Sequence, residues 1–99
     1  MSGKLKYSED ALGHLDKLTD FLIRNAGERT ALSVIDELLD SFSILEEMPF
    51  LGREHPDLLL ASRGYRVYSA GRYVGVYLVT DGGVLIIAVY HTKTDWLTI

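Results

Sequence analysis

The chain has 99 residues, room for one domain and not two; a chain of this size buries roughly 65% of the surface its unfolded form exposes. Apolar residues make up 47% and charged residues 24%, the balance of a folded globular protein, which excludes a disordered or fibrous chain. A net charge of -4 and a pI near 5.2 argue against broad electrostatic binding to nucleic acid, and the lack of cysteine excludes disulfides, thiolate metal sites and cysteine nucleophiles.

The acidity is uneven. Residues 1–50 carry five basic side chains against ten acidic, a net of -5, whereas residues 51–99 carry five against four, a net of +1. The second half can therefore present a cationic face that the average conceals. Met1-Ser2-Gly3-Lys4 leads into no apolar signal core, and no run approaches the ~20 apolar residues of a membrane span. A cytoplasmic protein with no membrane association is expected.

In chain order, Lys4 to Tyr7 reads as a short strand. Ser8 followed by Glu9-Asp10 is the N-cap and acidic first turn of a helix whose leucines, at 12, 15, 18 and 22, recur at helical spacing until Asn25-Ala26-Gly27 stops it. The second helix has the clearest period in the chain. Ala31, Val34, Ile35, Leu38, Leu39, Phe42 and Leu45 form one stripe, with Arg29, Asp36, Glu37, Asp40 and Ser43 off it, and Pro49 marks its limit. With only Gly27 and Glu28 between them, the two helices must fold back as an antiparallel hairpin.

Phe50 to Gly64 has no lasting period and reads as a loop. Three strands follow: Tyr65 to Ala70, Tyr73 to Val79 and Val84 to Tyr90, with turns at Gly71-Arg72 and Asp81-Gly82. The last run is apolar on both faces and is expected as a central strand covered by helices on at least one side. The order β-αα-βββ gives an α+β domain over residues 1–99, a helical hairpin packed on a small antiparallel sheet.

Function is expected on the sheet, where arginines, tyrosines and His91 gather. Each has a structural alternative. His91 can hydrogen-bond the loop after its strand or act as a switchable polar group. Arg66 can pair with Asp81 or Asp95 or contact a target. Arg72 is expected at an exposed turn, about half of Tyr65, Tyr68, Tyr73, Tyr77 and Tyr90 in the core, and Trp96 as a lid on the core rather than an interface anchor. His14, His55 and His91 are too scattered for a metal site, and Gly82-Gly83 is a turn rather than a phosphate loop, so neither metal nor cofactor is expected.

Taken together, Ala11 and the leucines of the first helix, Ala31, Leu45-x-x-x-Pro49-x-x-Gly52-Arg53, Gly64-Tyr65-Arg66, Arg72-Tyr73-x-x-x-Tyr77 and His91-x-x-x-Asp95 resemble the RelE/ParE superfamily of bacterial toxin–antitoxin systems, in its ParE branch. The resemblance implies a plasmid-stabilisation-type toxin neutralised by a cognate antitoxin that wraps the helical hairpin and sheet. ParE-like members inhibit DNA gyrase; RelE-like members are ribosome-dependent mRNA endonucleases. A ribonuclease would use Arg66, Arg72 and Lys93 as cations, with Tyr90 and His91 for proton transfer. The close His91-Thr92-Lys93-Thr94-Asp95-Trp96 departs from the nuclease pattern, which favours gyrase inhibition by protein binding, with a non-toxic binding module as a third reading. The target-binding candidates are Arg53, Arg66, Arg72, His91, Lys93 and Trp96; the antitoxin-binding candidates are Leu22, Asp36, Glu37, Asp40 and Tyr73.

Overall fold

The computed structural model of the chain describes residues 4–93, so Asp95 and Trp96 lie outside the described residues. Strand β1 (Lys4–Tyr7) runs into helix α1 (Glu9–Ala26), and Ser8 joins them. Its hydroxyl oxygen accepts from the Ala11 N–H at 3.0 Å and donates to the Ile87 carbonyl at 2.8 Å, so one side chain caps the helix and ties it to the sheet. Helix α2 (Glu28–Ser43) starts straight after Gly27, whose φ of 90° only glycine adopts freely. The single-residue link forces the two helices to fold back on each other. The apolar stripe outlasts α2, because its last residue, Leu45, sits in a 3₁₀ turn, Ile44–Glu46, that tightens the helix end.

The segment expected as a loop holds two further elements. Strand β2 (Arg53–Glu54) is only two residues long, and helix α3 (Leu58–Ser62) only five. Neither is long enough to set up a period. The one local signal is Asp57, whose carboxylate accepts from the Leu59 and Leu60 N–H groups as an N-cap. Strands β3 (Arg66–Ala70), β4 (Tyr73–Thr80) and β5 (Gly83–His91) follow close to their expected limits.

The sheet order is β1-β5-β4-β3-β2. The last three strands form the expected antiparallel meander, β2 extends it antiparallel to β3, and β1 pairs parallel to β5 in the register Lys4↔Gly83 to Tyr7↔Ile86. The sheet is therefore mixed within an α+β fold. Strand β5 lies between β1 and β4, as its apolar run requires. A bulge leaves Ile87 without a partner, since Tyr77 faces Ile86 and Val76 faces Ala88. The extra residue keeps Val84, Ile86 and Val89 all in the core under the helices despite their broken alternation.

That core joins Ala11 and Leu15 of α1, Leu38 and Phe42 of α2, and Leu45 to Tyr77, Val84, Ile86 and Val89 of the sheet. Gly75 sets how closely α2 approaches, for a Cβ there would stand 2.8 Å from the buried Phe42 ring. A second, smaller cluster gathers Val67, Val74, Val76 and Ala88, flanked by Tyr65 and Tyr90. Of the five sheet tyrosines singled out above, Tyr77 is fully buried and the other four are half-buried.

Candidate functional site

At one end of the sheet the β3–β4 turn passes through Gly71, at a φ of 62°, and projects Arg72 into solvent. Ala70, Gly71, Arg72 and Tyr73 there meet Glu37, Leu38 and Ser41 of α2 around a cavity of about 220 Å³. The fold thus brings Glu37 and Tyr73, both antitoxin candidates, beside Arg72, a target candidate. Asp36 and Asp40 are exposed on α2, and Leu22 is half-buried on α1.

An adjoining cavity of about 180 Å³ is lined by His14, Lys17, Leu18, Tyr73, Val89, Tyr90 and His91. It forms where β1 stops short. Beyond Ile86, the cap of α1 and one of its side chains replace the missing strand: Ser8 donates to the Ile87 carbonyl, and His14 Nδ1 accepts from the Val89 N–H at 3.2 Å. The His14 ring packs on Tyr90 at 4.9 Å between centroids, and Tyr73 meets His91 edge-on at 5.4 Å. His91 Nδ1 accepts from the Lys93 N–H at 3.0 Å, which places the proton of a neutral ring on Nε2. Burial, with a smaller push from Asp10, raises the Tyr90 phenol above its ordinary value and makes it a poorer acid. The sequence signal for His14 was only a histidine on a leucine-rich helix; its partner is 75 residues away.

Arg66 belongs to the other end. It pairs with Tyr77, whereas His91 pairs with Tyr73, a separation along β4 of roughly 13 Å at about 3.3 Å per residue. Among the described residues its partners are not Asp81 or another carboxylate but the main chain of the loop before β2, and the alternative partner Asp95 lies outside the described residues. Arg66 Nη2 donates to the Gly52 carbonyl at 2.6 Å and the Phe50 carbonyl at 3.2 Å, with the guanidinium 5.3 Å from the Phe50 ring centroid. Tyr77 holds the same loop, its hydroxyl donating to the Pro49 carbonyl at 2.8 Å and accepting from the Gly52 N–H at 3.0 Å. Only glycine fits at position 52, since a Cβ would lie 2.4 Å from the Val67 carbonyl oxygen and 2.6 Å from the Tyr77 hydroxyl. Pro49, Gly52, Arg66 and Tyr77, scattered through the motif, are thus one clasp.

The clasp fixes a loop whose side chains face water: Met48 is 50% exposed, Phe50 66% and Leu51 42%. Arg53 follows immediately and is exposed on β2, as is Lys93 beyond β5. Arg72, Tyr90 and His91 share one end of the sheet, while Arg66 is engaged with the loop carbonyls at the other. Among the described residues, no cluster of three or more His, Asp or Glu side chains could hold a metal ion, and no helix is long and apolar enough to cross a membrane.

A family model described as the ParE toxin of the type II toxin–antitoxin system parDE matches residues 5–96. Among solved structures, a chain of the chromosomal ParDE system from P. aeruginosa aligns with a TM-score of 0.77 at 17% identity, over 91% of this chain and 96% of that one. That likeness establishes the fold. No curated protein matches the sequence.

Proposed function

Since this chain belongs to the ParE toxin family of type II toxin–antitoxin systems, we propose that it acts in the cytoplasm as a toxin that inhibits DNA gyrase by protein–protein binding and is neutralised by a cognate antitoxin. The observation that carries the reading is the separation of Arg66 from Tyr90 and His91. RNA cleavage by 2′-hydroxyl attack needs a base, an acid and cations around one phosphate. Here the Arg66 guanidinium is turned to two loop carbonyls instead. Inhibition by binding requires no such convergence, and the net charge of -4 favours a protein target over direct nucleic-acid contact.

In this reading the target-binding residues are Arg53, Arg66, Arg72, His91, Lys93 and Trp96, with the exposed Arg53 and Arg72 supplying much of the binding energy. The antitoxin covers the helical hairpin and the adjoining turn, using Leu22, Asp36, Glu37, Asp40 and Tyr73. The apolar side chains exposed on the helices, Leu12, Phe21, Ile23 and Leu32, support that assignment, because an amphipathic partner segment would bury them.

Induction of the chain without its antitoxin, beside a DNA-damage reporter, tests the target. Growth arrest with a rising reporter, together with inhibition of gyrase supercoiling by the purified chain, is the expected result. Arrest with a flat reporter and cleaved mRNA would replace gyrase with the ribosome. Co-expression with the antitoxin should yield one co-purifying complex, and a toxin that elutes alone would overturn the neutralisation step.

A further inference from the structure

Tyr77 cannot touch a partner, because it is fully buried. Its ring alone would fill the core, as phenylalanine does. Its hydroxyl does something else: it donates to the Pro49 carbonyl and accepts from the Gly52 N–H, holding both ends of one loop turn. Gly52 lacks the side chain that would collide with that oxygen. The carbonyls so placed, Phe50 and Gly52, are the two that Arg66 grips, and Arg53 leaves the turn in register with Val67 of β3.

The held segment contributes little to the core, since Met48, Phe50 and Leu51 face water. Three buried or half-buried groups therefore order a surface of apolar side chains flanked by two guanidiniums. Ordering a loop before it binds removes an entropy loss from the binding step, and an aromatic beside arginines is the composition that dominates interface energetics. The loop also lies at the opposite end of β3 from the Glu37–Tyr73 cavity assigned to the antitoxin.

We propose that Tyr77 is a positioning residue for inhibition: through its hydroxyl it sets the Met48–Gly52 loop, with Arg53 and Arg66, in the geometry that the toxin's protein target recognises. The proposal rests on the target-binding reading above. It assigns Phe50 to direct contact with the target, in an apolar recess rimmed by acidic groups that complement the two arginines. Arg66 contributes to that surface through the loop as well as by its charge.

Tyr77→Phe in the full-length chain is the test, because it removes one oxygen and keeps the ring. Inhibition of supercoiling, antitoxin affinity and thermal midpoint are measured side by side with the wild type. The expected result is about ten-fold weaker inhibition, from two lost hydrogen bonds, with antitoxin affinity changed less than about two-fold. Unchanged inhibition, or equal loss of both activities, would make Tyr77 purely structural and overturn the proposal. If Tyr77→Phe does not fold, the exposed Phe50→Ala carries the test: it should lose inhibition by about ten-fold or more at an unchanged midpoint, and full activity would sink the assignment. A wild-type chain that arrests growth without inhibiting gyrase removes only the choice of target, and the same variants are then compared by growth arrest. A wild-type chain without toxicity overturns both.

Discussion

Replacing Gly75 by alanine measures how tightly α2 is set on the sheet. In an open strand the change would stabilise by about 0.5–1 kcal/mol, because glycine loses more backbone freedom on folding than alanine. At Gly75 the new Cβ would stand 2.8 Å from Phe42 Cε1 and Cζ, and that ring is fully buried, with Tyr68 6.4 Å away between centroids. Overpacking of this kind costs about 1–3 kcal/mol, so the net expectation is a loss of about 1–2 kcal/mol. In urea denaturation the midpoint falls at unchanged slope, and the thermal midpoint drops by about 4–8 °C per kcal/mol for a domain of this size. Phe42→Leu alone is expected to cost on the order of 1–2 kcal/mol through lost packing. Combined with Gly75→Ala it should cost less than the two together by about 1 kcal/mol, because the smaller side chain admits the new methyl group. A neutral or stabilising Gly75→Ala, or strict additivity, would refute the claim that the Phe42 ring fixes this spacing.

Three further outcomes are expected. Tyr7 has a buried hydroxyl with no hydrogen-bond partner among the described residues, so Tyr7→Phe should raise stability by about 1 kcal/mol in the same urea titration; destabilisation would reveal a partner. Burial, aided by Glu46, lifts the Tyr7 phenol from 10.0 to about 12. The folded state then holds the proton after the unfolded chain has released it, so wild-type stability should fall as pH rises from about 10 towards 12, and Tyr7→Phe should flatten that fall. Burial moves His55 the other way, below its ordinary 6.5, against a smaller upward pull from Asp57 and with a further downward push from Arg53. Its contribution is complete above about pH 6.5 and is lost as pH falls below it, so His55→Asn, which keeps an acceptor for the Asp57 N–H, should show a shallower acid slope than the wild type. Finally, His91→Ala should keep growth arrest within about ten-fold, as a surface contact would; a fall of about 10²-fold or more with loss of RNA cleavage would establish proton transfer and overturn the inhibitor reading.

The elements written in local spacing are legible in the amino-acid sequence alone. The leucines of α1 and the stripe of α2 repeat at the helical period, and the Asp81-Gly82 turn is marked by its dipeptide, so a short window contains each signal. Composition likewise placed Arg72 at an exposed turn and β5 inside the sheet. The elements missed, β2 and α3, are shorter than one such window and exist because β3 and the Asp57 cap hold them.

The site candidates divide along the same line. The sequence marked Arg66, Tyr77, Pro49 and Gly52 as members of one pattern, but their distances apart, 28 residues between Tyr77 and Pro49 and 14 between Arg66 and Gly52, gave no hint that they touch. An arginine on a strand reads equally as an ion pair, a target contact or a loop clamp, since all three satisfy the same donors. His14 was one of three scattered histidines until the end of β1 left the Val89 N–H in need of an acceptor. By itself the sequence determined the two long helices and the strands β1, β3, β4 and β5, because hydrophobic period and turn chemistry are local. Only the tertiary structure decided that β1 would lie parallel beside β5 and that Arg66 would face the Phe50 loop rather than His91, because strand register and side-chain partners are set by contacts between residues far apart in the chain.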